Sequence, residues 1–336
     1  MLAVFVIIFI PLALSAHEVY VLTPEEISLA LQGEPLNFLA VISEQRYEFF
    51  SAALLGVSIL LIIFLISISR KLEMILDPLF FRLKPYTSHI SYFTLVASLF
   101  ASAHYGALFG VELPLMDVFH PFEQIVTVLI YAISIFLLIN FTPRIMGLAV
   151  LGLFIVPFIY RGFYMLNYGT YFGEALIIFL FSGNLPWGLK EPHLGDRFFV
   201  WTNKLRPYKF LILRIFFGSS LIYASFYAKF LHGTLALETV QKYNLTNYFP
   251  FDPFFLILGA FIIEILIGLF FIIGFEIRFT SIFFLFFLIL SVIFFKEQVW
   301  PHIILIGTAI AMFVHGYDRY TVERAFFKKD LREPVL

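Results

Sequence analysis

Five side chains that could take part in chemistry lie inside apolar segments of the sequence: Tyr223, Tyr227, Lys229, Glu264 and His302. An ionisable group is costly in hydrocarbon, so it is expected there only with a function or a partner. Lys229 and Glu264 stand on adjacent segments with opposite charges. We predict that they pair as the catalytic residues, with Glu264 as a proton carrier and Lys229 or Tyr227 as a donor to a polar head group. In the structural alternative, Lys229 extends to the surface and Glu264 hydrogen-bonds between helices.

The predicted ligand-binding residues form a second group. They are Tyr227, His302, Tyr223, His104 and Glu123. Histidine is common in metal sites, yet no pair has the spacing of a helical metal site. A bound metal or haem is therefore not expected.

Other polar residues lie towards the predicted outer ends of the apolar segments. Glu123 and Glu174 would add carboxylates to this outer layer. The metal candidates that remain are His120 and His17. A mature N-terminal His17 would offer an amine and an imidazole to a metal such as copper.

These residues belong to a chain whose composition is typical of a membrane protein. Of its 336 residues, 61% are hydrophobic and 13% are charged. Several apolar runs reach the roughly 17–25 residues that cross a bilayer core. The net charge of −1 argues against a nucleic-acid partner. The absence of cysteine excludes disulfides, thiolate nucleophiles and Cys-ligated metals.

Composition shifts divide the chain into segments. Residues 1–16 are apolar and end in small residues, as a secretory signal peptide does, with a retained helix as the alternative. Residues 17–49 form a short extracytoplasmic segment, and residues 50–87 hold a first transmembrane helix and an interfacial stretch. The remaining divisions are a first four-helix unit (88–187), a basic cytoplasmic linker (188–209), a second four-helix unit (210–316) and a cytoplasmic tail (317–336).

Loop charge predicts the orientation in the membrane. Most of the 22 Lys and Arg residues fall on one side of the predicted spans, which the positive-inside rule assigns to the cytoplasm. The predicted fold is an all-α polytopic integral membrane protein with about nine transmembrane helices, in two tandem four-helix bundles and one N-terminal helix. We expect it in a bacterial or archaeal cytoplasmic membrane, with the N-terminus outside after signal cleavage and the C-terminus in the cytoplasm.

The two units have similar sequences. Phe141-Thr-Pro-Arg144 lines up with Phe275-Glu-Ile-Arg278, and Ser102-Ala-His104-Tyr105 lines up with Ser225-Phe-Tyr227. An even number of spans would give both units one orientation, related by an axis along the membrane normal. The alternative is that any two apolar helical hairpins look alike.

The second unit also carries an ordered set of short motifs. They are Arg214 with Phe217-Gly218, the stretch Tyr223 to Lys229, Gly259 to Gly268 around Glu264, Gly274 with Arg278, and Gly316-Tyr-Asp-Arg-Tyr320. In these features, over about residues 210–322, the chain resembles the DoxX-like family of small four-helix bacterial membrane proteins. It departs from the family at Pro301-His302, near a position that the family often fills with glutamate.

The resemblance implies a membrane component of the kind found with quinone-linked oxidoreductases, such as thiosulfate:quinone oxidoreduction, although it does not make each member an enzyme. We therefore expect a subunit of an extracytoplasmic redox or quinone-linked system. Its partners would be lipid, quinone and an extracytoplasmic redox protein, with quinone as the cofactor. The alternatives are a small-solute or ion transporter with a pathway between the bundles, and a non-catalytic assembly subunit. Enzyme activity and a homo-oligomer are both left open.

Overall fold

The computed structural model describes residues 22, 24–33, 35–69, 71–181, 196–295 and 298–327. These residues form helices and the turns that join them, and no strand occurs among them. The predicted signal peptide and His17 lie outside the described residues, as do residues 182–195 of the predicted first unit and linker and the end of the tail.

The helices are numbered here in chain order. They are α1 (Pro24–Ala30), α2 (Phe38–Glu44), α3 (Arg46–Ser69), α4 (Lys71–Leu83), α5 (Thr87–His104), α6 (Leu115–Phe119), α7 (Glu123–Leu138), α8 (Pro143–Arg161), α9 (Gly169–Phe181), α10 (Asp196–Leu205), α11 (Lys209–Ser225), α12 (Gly233–Lys242), α13 (Pro253–Ile273), α14 (Ile277–Phe295), α15 (Ile303–His315) and α16 (Val322–Phe327). Short 3-10 turns precede or extend several of them, and a π-helical turn, Phe226–Leu231, continues α11.

Five helical stretches among the described residues are long and apolar enough to cross a membrane. They are Arg46–Ile66, Pro143–Phe181, Val200–Leu231, Pro253–Ile273 and Ile277–Phe295. Glu123–Leu138 and Trp300–His315 are apolar but shorter. The protein is therefore an all-helical, multi-pass membrane protein, as the composition predicted. The count of about nine spans stays a prediction.

Helix α3 is apolar on all sides. None of its span, Arg46–Ile66, is buried, and its main contacts are with its neighbours α2 and α4. A helix that is apolar all round and lies at the surface needs an apolar solvent. Its sequence therefore fits a single helix surrounded by lipid, outside the main bundle.

The remaining long helices pack as two sets. The first set is α5, α7, α8 and α9, and the second set is α11, α13, α14 and α15. In each set the first helix packs on the second and the third packs on the fourth. Between the sets, α5 packs on α15 and α11 packs on α9. The arrangement is therefore more intertwined than two tandem bundles, because the first helix of each set lies against the last helix of the other.

Glycines allow these contacts between the sets. A Cβ atom on Gly173 of α9 would lie 2.7 Å from the Cβ of Phe216 in α11, and a Cβ atom on Gly307 of α15 would overlap Thr94 in α5. Small residues let helix backbones approach closely, which is how helices associate in lipid. Both crossings between the sets thus depend on a glycine of the last helix.

Similar turns join the second and third helices of each set. Asn140 and Thr142 have left-handed backbone in the first turn (φ 54° and 43°), as do Gly274 and Glu276 in the second (φ 70° and 44°). In both turns a phenylalanine N–H donates to the carbonyl of an earlier phenylalanine, from Phe141 to Phe136 and from Phe275 to Phe270. The sequence similarity around Arg144 and Arg278 therefore coincides with one backbone geometry.

A short helix followed by a 3-10 turn precedes the first long helix of each set. Helix α4 leads into the 3-10 turn Lys84–Tyr86, and α10 leads into the 3-10 turn Arg206–Tyr208. The sequences Arg82-Leu-Lys-Pro-Tyr86 and Lys204-Leu-Arg-Pro-Tyr208 carry these turns. The proline in each turn favours the start of the following helix.

Many Lys and Arg side chains lie at one end of the bundle, which we call the basic end. It includes Lys84, Lys209 and Arg278, near the starts of α5, α11 and α14. Lys84 donates to the Tyr317 carbonyl at 3.1 Å, and Arg278 pairs with Asp77 at 2.8 Å. Amphipathic α4 and the segment after α15 are thereby attached to this end.

The segment before α3 covers the opposite end of the second set. Thr234 of α12 donates to the Ala30 carbonyl, and Lys242 pairs with Glu26 at 2.7 Å. Val41 of α2 packs with Phe255 and Leu258 of α13. The short predicted extracytoplasmic segment is therefore part of the folded structure around the second set.

Candidate functional site

Lys229 and Glu264 form an ion pair in the interior of the second set. Lys229 Nζ lies 3.0 Å from Glu264 Oε2, and the two side chains are 6% and 15% exposed. The predicted pairing is therefore present, and Lys229 does not extend to the surface as in the structural alternative. The chemical roles of the two residues remain predictions.

The local helix geometry brings this pair together. Lys229 stands on the π-helical turn Phe226–Leu231, a rare form that is frequent at functional sites. Glu264 lies near the middle of α13. Helices α11 and α13 approach closely at Gly218 and Gly268, and this approach keeps the Lys229 side chain within reach of α13.

The ion pair lines a cavity of about 110 Å³. Its wall includes two more predicted residues, Tyr227 and His302. His302, at the turn before α15, is 1% exposed. Four of the predicted site residues therefore converge from three segments of the second set.

Glu112 and Tyr164 of the first set form another part of the wall, and the sequence did not single them out. The Tyr164 hydroxyl donates to Glu112 Oε1 at 3.2 Å, and the Tyr164 ring meets the Tyr227 ring edge-on at 5.0 Å. Both residues lie in connections rather than in apolar helices, where a polar side chain is ordinary and gives no signal of a site in the sequence.

Other predicted residues lie outside the lining of this cavity. Tyr223 is half-buried and stacks on Tyr227 with the ring centroids 6.3 Å apart. His104 and His120 are exposed, and Glu123 is half-buried at the start of α7. His104 ends α5, His120 follows α6 and Glu123 begins α7. The predicted ligand-binding and metal roles of these residues and of Tyr223 stay predictions.

A metal site needs several metal-binding side chains close together in the structure. Among the residues that the structure describes, no group of three or more His, Asp or Glu side chains could hold a metal ion. The cavity instead combines one lysine, two carboxylates, tyrosines and a histidine. This set is suited to hydrogen bonding and proton exchange.

His232 follows the π-helical turn and lies beside the site. Its ring centroid is 4.7 Å from that of Tyr227. Burial lowers the pKa of His232 below its ordinary value of 6.5, and a backbone contact with Leu31 raises the pKa only in part. At neutral pH the imidazole is therefore expected to be uncharged beside Tyr227.

Glu174 lies in the interior, and its predicted place in the outer layer is wrong. The side chain is fully buried in α9, where it accepts hydrogen bonds from Ser91 of α5 and from Thr308 of α15 at 2.9 Å. Ser91 belongs to the first turns of α5, at the basic end. Periodicity alone did not show how deeply α9 enters the contact between the two sets.

Residues 210–297 match the family model described as DoxX. The match covers about a quarter of the chain and includes Lys229 and Glu264, whereas His302 lies beyond it. No curated protein and no solved structure matches the chain. The predicted resemblance is confirmed for this region, and the chain is a multi-pass membrane protein whose second half contains a DoxX domain.

Proposed function

We propose that the protein is a DoxX-type membrane subunit of a quinone-linked redox system, with Lys229 and Glu264 as its reactive residues. The observation that carries the proposal is the position of this ion pair on the wall of a cavity that also includes Tyr227 and His302. An ion pair within a membrane protein that faces a cavity is typical of a substrate or proton pathway.

The cavity lining fits a quinone head group. Lys229, Tyr227 and His302 carry groups that can donate to a carbonyl oxygen. Phe284 and Phe287 supply an apolar, aromatic wall. When bound, a quinone would supply an acceptor for electrons and protons. Lys229 and Tyr227 would hold its carbonyl oxygens.

In this proposal Glu264 balances the charge of Lys229 and can hold a proton beside the cavity. Glu112 supplies a second carboxylate on the wall formed by the first set. The hydrogen bond from Tyr164 orients Glu112, and the same tyrosine contacts the Tyr227 ring. The cavity is therefore served by an acidic group from each set of helices.

We also infer that the two sets are copies of one four-helix unit, with the predicted bounds 88–187 and 210–316. The turns at Thr142 and Glu276 and the paired glycine contacts support this inference. When these turns are aligned, Glu264 corresponds to Ile130, a fully buried apolar residue of α7. The first set would then serve as a wall of the cavity rather than as a second site.

The proposed orientation places the basic end in the cytoplasm. Lys229 and the connection with Glu112 lie towards the opposite end of the helices. The cavity would therefore exchange electrons with a redox protein outside the cytoplasm. Signal cleavage and a free N-terminus at His17 belong to the same proposal.

A transporter is the second candidate function, and one observation favours it. The cavity lies between the sets, with Glu112 and Tyr164 from the first set and Lys229 and Glu264 from the second. A polar pathway between two related units is a common plan for membrane transporters. A small solute or an ion would then replace quinone as the occupant of the cavity.

Quinone binding to the purified full chain tests these candidates. We expect wild type to bind a short-chain quinone, and Glu264→Gln and Lys229→Met to lose this binding. Glu238→Gln, an exposed change on α12, is the matched control and should bind as wild type does. Absence of quinone binding by the folded wild type would overturn the redox proposal. Solute or ion flux in proteoliposomes that Glu264→Gln abolishes would support the transporter, and absence of both would favour an assembly subunit.

A further inference from the structure

A buried carboxyl group lies where helices of both sets meet, apart from the Lys229–Glu264 pair. Glu174 of α9 is 0% exposed. Its carboxylate accepts hydrogen bonds from Ser91 of α5 and from Thr308 of α15. Three helices thus supply this contact, and the carboxyl group has no direct route to solvent or lipid.

A cation connects this region with the basic end. Lys209 begins α11 at the basic end. The Lys209 Nζ atom donates to Ser88 Oγ at 2.6 Å. Ser88 lies one turn before Ser91 in α5, and Ser91 donates to the Glu174 carboxylate, so hydroxyl groups on one face of α5 link Lys209 with Glu174.

Hydroxyl groups continue from Glu174 towards the cavity. Tyr171 lies one turn before Glu174 in α9 and therefore on the same face of the helix. It lines the cavity, and its hydroxyl group donates to the Phe109 carbonyl at 3.2 Å. Thr170 and Ser220, which also line the cavity, share a hydrogen bond of 2.8 Å.

We propose that Glu174 is a proton-binding site on a path that joins the basic end to the cavity. A proton enters when an N–H bond of the Lys209 ammonium breaks and the proton passes to Ser88. The Ser88 and Ser91 hydroxyl groups each gain one proton as they release another, and an O–H bond forms on Glu174. The neutral Lys209 amine then takes a proton from water at the basic end. The Glu174 O–H bond breaks when the proton moves on through hydroxyl groups, each of which gains one proton as it releases another. The use of the proton in the cavity rests on the proposed function, whereas proton binding by Glu174 does not.

The proposal differs from a purely structural role in one respect. A glutamine would keep a hydrogen bond with each hydroxyl group, because its carbonyl oxygen can accept from one and its amide N–H can donate to the other. Helix packing alone therefore does not need a titratable group. A carboxyl group linked to Lys209 through the Ser88 and Ser91 hydroxyl groups has a proton to gain and a cation from which to receive it. The measurement must therefore follow the carboxyl proton rather than stability.

Infrared spectroscopy of the full chain in nanodiscs can make that measurement. We expect pH-difference spectra of wild type to contain a protonated-carboxyl signal that is absent from Glu174→Gln and shifted in Glu174→Asp. The signal should move on transfer to D₂O while the protein stays folded. Lys209→Met should slow this exchange by about a hundredfold, in the range of a lost proton donor. Glu238→Gln, on the surface of α12, should leave the signal unchanged.

Two results would overturn the inference. One is the absence of any signal assignable to position 174 across the pH range in which the protein is folded. The other is a signal at this position that does not exchange in D₂O. Glu174→Asp provides the assignment if Glu174→Gln does not fold. Quinone binding by wild type, measured separately, decides the proposed function, so the two failures can be distinguished.

Discussion

Gly268 of α13 touches the backbone of Gly218 in α11. A Cβ atom on Gly268 would lie 2.7 Å from the Gly218 carbonyl oxygen. Lipid is as apolar as a helix interface, so two helices in a bilayer associate through close packing rather than through the hydrophobic effect. This glycine contact therefore determines how near Lys229 comes to Glu264.

Gly268→Ala should weaken both the fold and the cavity. The added methyl group has no space, and overpacking of this kind costs about 1–3 kcal/mol. Gly259→Ala is the matched control on the same helix, because a Cβ atom there meets nothing within 4 Å. Thermal unfolding in detergent and quinone binding should both be impaired by Gly268→Ala and maintained in Gly259→Ala. Equal behaviour of the two variants would contradict the close contact.

Removal of either partner of the Lys229–Glu264 pair should destabilise the protein. Each single change, Lys229→Met or Glu264→Gln, leaves a buried charge without its partner, at a cost of about 3–5 kcal/mol. The double change Lys229→Met with Glu264→Gln should recover much of this stability, because no charge remains. Denaturation of all the variants in one detergent measures the coupling. Additive losses in the double variant would show that the two charges do not interact.

Asp318 should stabilise the basic end at neutral pH and lose this effect in acid. It lies 3.8 Å from the buried Arg214 and 3.5 Å from His315. Burial by itself raises the Asp318 pKa. Contact with His315 and the charge of Arg214 lower the pKa by more than burial raises it, so the net pKa falls below the ordinary 3.8. A lowered folded pKa gives stability that is present above the unfolded pKa and lost as pH falls through the folded pKa.

Melting curves at pH 7 and below pH 4 test this effect. Asp318→Asn should be less stable than wild type at pH 7 by about 3 kcal/mol, since Arg214 loses a buried counter-charge. The difference should shrink below about pH 4, where Asp318 begins to gain a proton. Asp117→Asn, an exposed change in α6, is the control. A difference that is constant with pH would rule out the electrostatic explanation.

The absence of native cysteine allows a direct test of orientation. Asn203 is exposed on α10 at the basic end, and Ser43 is exposed on α2 near the other end of the bundle. With the basic end in the cytoplasm, a membrane-impermeant maleimide should label Ser43→Cys in intact cells. It should label Asn203→Cys only after permeabilisation. The reverse pattern would invert the proposed topology and place the cavity towards the cytoplasm.

The sequence by itself determined that this is a membrane protein, that it is all-helical and that Lys229 pairs with Glu264. Hydropathy suffices for the first two, because bilayer thickness requires long apolar helices. The cost of charge in hydrocarbon predicted the ion pair. The DoxX resemblance, confirmed for residues 210–297, was likewise visible in the order of short motifs.

Only the tertiary structure decided which helices touch and which residues share a cavity. Lipid-facing and protein-facing surfaces are both apolar, so hydropathy does not show that α5 packs on α15 or that α9 packs on α11. Those contacts depend on single glycines such as Gly173 and Gly307. They bring Glu112 to the cavity and bury Glu174 between Ser91 and Thr308. Long-range packing makes both sites, and no local sequence pattern carries that information.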